Sequence, residues 1–290
     1  MYKSVVRICI IFPLLAQTFH AKCQRLFVHL DGGAVNYGGD LQSQLFTLQQ
    51  ANSFFGGGLY YKISGAFALE GTFSAGKLAA TDAKTKVEST RRNLSFYSGL
   101  TEGSLVLHAN LRDVPGNARL TPYMHAGIAV YHYNPYTYYQ GQKVYLQPLG
   151  TEGQGLSQFP DRKIYSLTQL AIPFGGGLKF AVTDRIMIGG EITFRKLFTD
   201  YLDDVSSRRY VDTGLLRTAR GPLSAKMSFR SDETANPLTF NSNIQRGNPD
   251  RKDVYYTILL KLYITFGGNG GGNHAEAKRL RRQSSCPPKL

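Results

Sequence analysis

Eight segments of the chain alternate apolar and polar side chains with a period of two, near 26–37, 54–63, 67–77, 94–111, 121–133, 168–181, 185–196 and 253–266. Successive side chains of a strand point to opposite faces, so this period spells strand rather than helix. The last segment is the clearest. Val254, Tyr256, Ile258, Leu260, Leu262, Ile264 and Phe266 share one face, against Tyr255, Thr257, Lys261, Tyr263 and Thr265. Once the apolar face of each segment is fixed, Asp31, Lys62, Glu70, Glu102, Lys179, Glu191, Arg195 and Lys261 all fall on the other face. That set holds four acids and four bases. His29, His108, His125, Tyr60, Tyr123 and Tyr131 share its parity.

Periodicity does not say which face is inside. A soluble sandwich would turn the charges to water; a barrel in lipid would turn them inward, where a balanced set can pair. The N-terminus decides between them. Lys3 and Arg7 precede an apolar stretch, Ile8 to Ala16, and Ala21 is a small residue before a cleavage point, although Phe19 is a poor fit there. The stretch is too short for a membrane helix, which needs about 20 residues, so it reads as an export signal over residues 1–21. Composition agrees: 31 glycines, 18 tyrosines and 17 phenylalanines favour sheet and turn, with only 19% of residues charged. The fold expected for 22–266 is all-β, an eight-stranded antiparallel transmembrane β-barrel with long extracellular loops, followed by a flexible basic periplasmic tail at 267–290. Interiors of barrels this size are filled by side chains, so the lumen is expected to be plugged.

The connections support the same fold. Links near 64–66, 112–119 and 182–184 are short, whereas those near 38–53, 78–93, 134–167 and 197–252 are long, and the two kinds alternate strictly. Outer-membrane barrels keep short turns on the periplasmic side and long loops outside, and an even strand number then puts both termini in the periplasm. Export also bears on partners. A net charge of +14 would raise nucleic acid as a partner inside a cell, but outside it anionic lipopolysaccharide or an acidic protein fits better. Cys9 leaves with the signal; Cys23 and Cys286 could pair in an oxidising compartment, but two free thiols is the preferred reading. Lys22 argues against lipidation at Cys23.

Few residues suggest chemistry. Asp200, Asp203 and Asp204 could offer oxygen ligands to calcium, but the regular spacing of a calcium loop is missing, so turn capping or pairing with Arg208 and Arg209 is preferred. The three inward histidines could hold a metal, yet hydrogen bonding within a polar interior is the simpler expectation. Ser104 shares a strand with His108 but lacks a serine-elbow motif. The glycine runs 56–58 and 175–177 lack the helix and lysine of a phosphate loop and read as sites of curvature or close packing. In LGTEGQG at 149–155, Gly150, Gly153 and Gly155 shape a turn-rich loop in which Glu152 has Asp161, Arg162 and Lys163 nearby. No catalytic residue, metal or cofactor is expected.

The strings LGTEGQG, FPDRK–YSLTQLAIPFG and RKLFTDYLDDVS, with NLSFYS at 93–98, TPYMHAGIAVYHYNP at 121–135 and RGN at 246–248, resemble the signature segments of the PorG-like outer-membrane barrel family of the Bacteroidetes. Gly150, Glu152, Gly153, Gly155, Pro160, Asp161, Arg162, Asp200, Tyr201, Asp203 and Asp204 carry that likeness. The resemblance implies a component of the type IX secretion system that ties its periplasmic ring, of PorK and PorN type, to the outer membrane. Contact with such a ring would fall to the Arg112–Arg119 turn and to the tail residues Lys278, Arg279, Arg281 and Arg282. Two rival expectations are a stand-alone barrel binding surface ligands or lipopolysaccharide through its loops, and a lipid hydrolase.

Overall fold

The computed structural model describes residues 26–42, 47, 49–84, 91–241, 243–250 and 252–266. The expected signal peptide, the three cysteines and the tail residues Lys278, Arg279, Arg281 and Arg282 lie outside them. The strands are β1 (Leu26–Gly38), β2 (Asn52–Lys62), β3 (Phe67–Thr81), β4 (Ser95–Asn110), β5 (Leu120–Tyr133), β6 (Tyr136–Tyr139), β7 (Gln142–Tyr145), β8 (Thr168–Ala181), β9 (Ile186–Leu197) and β10 (Val254–Ile264). Eight of them close a ring of antiparallel pairs in the order β1-β2-β3-β4-β5-β8-β9-β10, with β10 returning to β1 through pairs such as Asp31↔Lys261. β6 and β7 form a hairpin attached to β4 by the single pair Tyr97↔Tyr136. A ring has no free edge, which satisfies every ladder without water.

The expected strands recur within two residues at each end, except that β3 runs on to Thr81. Residues 78–81 (Leu-Ala-Ala-Thr) carry no clean alternation, but pairing with 95–98 of β4 extends the ladder past Lys77. Both chain ends of the barrel, Leu26 and Ile264, lie at the rim of the short turns, because Val28 faces Ile264. The long connections at the other rim are more structured than loops. Residues 134–167 contain the β6–β7 hairpin, and 198–253 contain helices α1 (Thr213–Arg220) and α2 (Pro222–Ser228). The Asp212 carboxylate caps α1 by accepting from the Leu215 amide, and Gly221 at φ 93 turns the chain into α2.

The barrel is inside out relative to a soluble protein. Leu260 is 75% exposed while Lys261 beside it is 4% exposed. Leu30, Phe55, Leu59, Phe73, Met124, Ile128 and Leu170 likewise face outward. Lipid rewards such a wall and water does not. Lys77 and Lys196 depart from the parity of the other strand charges: both are exposed on the outer face. They sit at the long-loop ends of β3 and β9, where a flexible stem lets an ammonium leave the hydrocarbon.

Both glycine runs serve close packing. A Cβ on Gly58 would collide with the Gly71 carbonyl and stand 2.9 Å from His29 Nε2. One on Gly177 would collide with the Gly190 carbonyl and stand 2.9 Å from the Tyr123 hydroxyl. Glycine there makes room for lumenal rings. The short-turn end of the lumen is closed by Phe27, Tyr60, Ala68, Val114, Ala181, Met187 and Tyr263. At the other end, Tyr37, Phe96, Tyr131, Tyr133 and Tyr255 continue into Leu146, Tyr165, Leu202, Val205 and Met227 of the long connections.

Candidate functional site: filled lumen and loop cap

Between those two apolar ends lies a layer of ions. Lys261 Nζ stands 2.5 Å from Glu70 Oε1, 3.4 Å from Glu191 Oε2 and 3.8 Å from Asp31 Oδ2. His29 Nδ1 meets Asp31 Oδ1 at 2.9 Å. One level toward the long loops, Arg195 grips Glu102 through Nε at 3.2 Å and Nη2 at 3.1 Å, and the Tyr255 hydroxyl donates to the same carboxylate at 2.5 Å. One level toward the short turns, Lys179 Nζ lies 3.1 Å from His108 Nδ1 and 3.9 Å above the Tyr123 ring. His108 Nε2 lies 3.6 Å from Glu70, and Thr193 joins Arg195 to Glu191, so seven of the eight expected lumenal charges meet in one network. Lys62 does not join it, because it lies at the short-turn rim and binds Asp113 of the 111–119 turn at 2.7 Å. Lys261 of β10 thus joins acids of β1, β3 and β9, and removing one partner of such a buried pair costs about 3–5 kcal/mol.

The inward histidines supply one convergent group among the described residues: ligand atoms of His108, His125 and Glu191 lie within 4.8 Å of one another. A divalent ion there would stand among two ammonium groups, Lys179 on His108 and Lys261 on Glu191. The Glu191 carboxylate is already engaged by the Tyr123 hydroxyl at 2.8 Å and the Thr193 hydroxyl at 2.8 Å. Nδ1 of His108 and Nε2 of His125 meet Lys179 and Thr193, while His108 Nε2 and His125 Nδ1 make no hydrogen bond and face Glu70 and Glu191 at 3.6 Å and 3.7 Å. Ser104 faces the same interior four residues from His108, whose ring contacts Lys179 and Tyr123 instead. The cavity lined by Asp31, Glu70, Ser104, Glu191 and Lys261 measures about 20 Å³, room for a single water.

The second assembly is a cap built from the long connections. Glu152 accepts from the amides of Ser206 at 3.0 Å and Ser207 at 2.9 Å, and its carboxylate binds the buried Arg246 guanidinium. Arg246 also donates to the Asp204 carbonyl at 3.0 Å. Asp204 takes the hydroxyls of Thr151 at 2.5 Å and Tyr165 at 2.7 Å, and Tyr201 stacks on Tyr165 at 4.9 Å. Gly150, Gly153 and Gly155 have φ of 58, 76 and 75, the left-handed region that glycine enters freely. Their turn brings the Gly155 amide to the Arg162 carbonyl at 2.7 Å, while the Arg162 guanidinium donates back to the Glu152 carbonyl at 2.7 Å. Arg92 clamps Asp82 at 2.7 Å and reaches the carbonyls of Asp40 and Arg246. Asp40 in turn accepts from the Asn248 amide at 2.8 Å.

Several sequence expectations change here. Glu152 pairs with Arg246 rather than Arg162 or Lys163. The acidic run pairs with neither Arg208 nor Arg209; Arg208 binds Asp250. Asp200, Asp203 and Asp204 form no convergent ligand group among the described residues; the Ser206 hydroxyl donates to one oxygen of Asp200, and hydroxyls and an amide donate to Asp203 and Asp204, contacts of the kind expected of turn capping. Pro160 and Asp161 are exposed and stand apart from the buried contacts. Sequence reading missed Tyr37, Asp253, Arg92 and Asp82. The Tyr37 hydroxyl lies between Asp203 Oδ2 at 2.5 Å and Asp253 Oδ1 at 2.9 Å. A hydroxyl has one proton to give, so one of the two carboxyls brings the second. Burial, with repulsion from Asp253 and Asp40 on Asp203 and from Asp200 and Asp40 on Asp253, holds both carboxyls well above the usual carboxylate range. Burial also pushes Asp200 up to about 7 and Asp204 up to about 6, the latter against the pull of Arg246.

The profile of a family described as a domain of unknown function (DUF6089) matches residues 4–215. No curated protein matches the chain significantly. Among solved structures, Neisserial surface protein A aligns over 83% of this chain and 97% of its own at 8% identity and a TM-score of 0.42. Ail, the attachment invasion locus protein of Yersinia pestis solved with the heparin analogue sucrose octasulfate, aligns over 83% and 98% at 10% identity and a TM-score of 0.40. The outer membrane enzyme PagL aligns over 81% and 97% at 12% identity and a TM-score of 0.29. The barrel assignment rests on the closed pairing ring and the apolar wall rather than on these overlaps.

Proposed function

Because the chain belongs to the DUF6089 family, whose description assigns no activity, we propose a function from its geometry together with the resemblance to the PorG-like barrels. It is a non-enzymatic barrel of the bacterial outer membrane, both termini periplasmic, acting as an anchor in the type IX secretion system that ties a periplasmic ring of PorK and PorN type to the membrane. One observation supports a barrel that works by contact and not as a channel: the lumen is filled by charged and aromatic side chains while the long connections fold into a buried cap. Such a molecule works through its surfaces. On the periplasmic side the 111–119 turn exposes Arg112 and Arg119 and borders a groove of about 510 Å³ lined by Gly65, Ala66, Leu111 and Asn117. Val114 of this turn is buried in the lumen and Lys62 pins Asp113, so the groove has a fixed shape.

Affinity purification from detergent-solubilised membranes tests the anchor. Ring proteins should come down with the wild type and be lost with Arg112→Glu/Arg119→Glu. Recovery of none with the wild type, or normal cargo export by a deletion strain, sinks the anchor role. A second reading, a barrel that binds surface ligands, is favoured by the place of Glu152, Arg162, Tyr201, Asp204 and Arg246: these family-like residues lie in the cap, at the rim opposite the termini. Ligand binding at the cell surface that survives loss of ring contact would support it.

A further inference from the structure

One exposed feature of the long-loop rim belongs to neither the lumen nor the buried cap. In the β6–β7 hairpin Tyr136 faces Tyr145 and Tyr138 faces Lys143, and opposite residues share a face. These four side chains therefore lie together on the outer side. Thr137 turns inward, where its hydroxyl meets Ser95 Oγ at 2.9 Å and Arg230 Nη1 at 2.9 Å, and so locks the hairpin to the cap. On the outer side Tyr136 stacks against Tyr97 at 5.7 Å, and Tyr138 meets Tyr97 edge-on at 5.5 Å. Lys143 Nζ sits 3.8 Å above the Tyr136 ring and 4.7 Å above Tyr145. Tyr97, Tyr138 and Tyr145 are 36%, 50% and 43% exposed. Four rings and an ammonium thus form one continuous, rigid platform.

Its height follows from β4. Tyr97 shares the outward face of that strand with Leu105 and Leu107. From Leu111 to Tyr97 the chain climbs about 45 Å, or about 35 Å along the membrane normal at a tilt of roughly 40°. An apolar band about 25 Å tall leaves the platform at headgroup depth, facing sideways into the leaflet. Lys77, outward on β3 opposite Gly99, adds a second cation beside it. None of the residues 77–81, 95–101 and 136–145 is acidic. Tyrosine at this depth suits any lipid interface, but a contiguous ring platform flanked by cations suits a ligand with both sugar faces and phosphate.

We propose that Tyr97, Tyr136, Tyr138, Tyr145, Lys143 and Lys77 form a lateral binding site for the saccharide–phosphate headgroup of lipopolysaccharide. Sugar rings lie against the exposed tyrosines, and the lysines take phosphate. The site rests on the outer-membrane reading above and is independent of the secretion role.

The test is a titration of the detergent-solubilised full-length protein with rough lipopolysaccharide (lipid A plus core) and, separately, with phosphatidylglycerol. The wild type should prefer lipopolysaccharide, and Tyr138→Ser/Lys143→Gln should bind it at least about tenfold more weakly. Lys77→Gln, away from the hairpin, should weaken it by a smaller factor; heat-modifiable gel migration checks that each variant is folded. Equal binding of lipopolysaccharide by wild type and the folded double variant overturns the site. So does equal affinity of the wild type for phosphatidylglycerol. Fractionation of the protein away from the outer membrane would instead overturn the reading on which the site rests.

Discussion

The lumen and the cap both bury carboxylates, and they compensate them by different means. In the lumen Glu70, Glu102, Glu191 and Asp31 meet whole cations, Lys261 and Arg195, that stand across the barrel on other strands. In the cap Glu152, Asp203, Asp204 and Asp253 rely mainly on backbone amides, hydroxyls and a shared proton, with Arg246 as the principal cation. A network of ion pairs resists change of pH and fails all at once when one ion is removed. A network of amides and protons yields locally and senses pH. The two regions should therefore separate under mutation.

The largest expected effect is in the lumen. Lys261→Met strips three acids of their shared cation and should destabilise the barrel by about 3–5 kcal/mol, read as lost heat-modifiable migration or as a lower unfolding midpoint. Adding Glu70→Gln should recover part of the loss, since one uncompensated charge is then gone. If the single variant unfolds like the wild type, the lumen does not hold the strands. Next comes Arg246→Met, which leaves the buried Glu152 carboxylate without its cation. It should open the cap to protease cleavage between 198 and 253 while the barrel keeps its folded migration. Collapse of both together would show that the two regions are one.

A pH effect on the cap alone is expected to be smaller. Asp200 and Asp204 have folded-state values raised to about 7 and about 6, above the unfolded carboxylate near 4. The folded cap therefore binds these protons more tightly than the open chain does. Their contribution is full below about pH 4 and is lost as pH rises through about 6 to 7. Amide hydrogen exchange in 198–253 should thus be slower at pH 5.5 than at pH 8 after correction for intrinsic rates, with no matching change in the barrel strands. The smallest effect is Tyr37→Phe. It removes the hydroxyl between Asp203 and Asp253, should cost about 1–2 kcal/mol, and should steepen the pH dependence of cap exchange.

Much of the barrel was legible because strand register turns a period of two into a list of inward residues. Asp31, Glu70, Glu102, Lys179, Glu191, Arg195 and Lys261 needed only parity to be grouped. Parity also puts Lys77 and Lys196 on the outer face, where they lie, but it gave no sign that Lys62 reaches a turn instead of the lumen. The cap was legible only as separate strings. Glu152 and Arg246 are 94 residues apart in the chain, and no period links them. The amides of Ser206 and Ser207 that hold Glu152 belong to backbone that every residue has, so no residue type announces them. Tyr37 could be placed on a strand, but its two aspartate partners come from connections whose paths the sequence does not draw.

The central feature of the molecule is a filled, ion-locked lumen rather than a passage. Conductance of the purified full-length barrel in planar bilayers measures this directly. The purified barrel should insert without steady current at neutral pH, since the cavity beside Lys261 has room for about one water and buried side chains close the lumen at both ends. Large, stable channel openings by the wild type would contradict it.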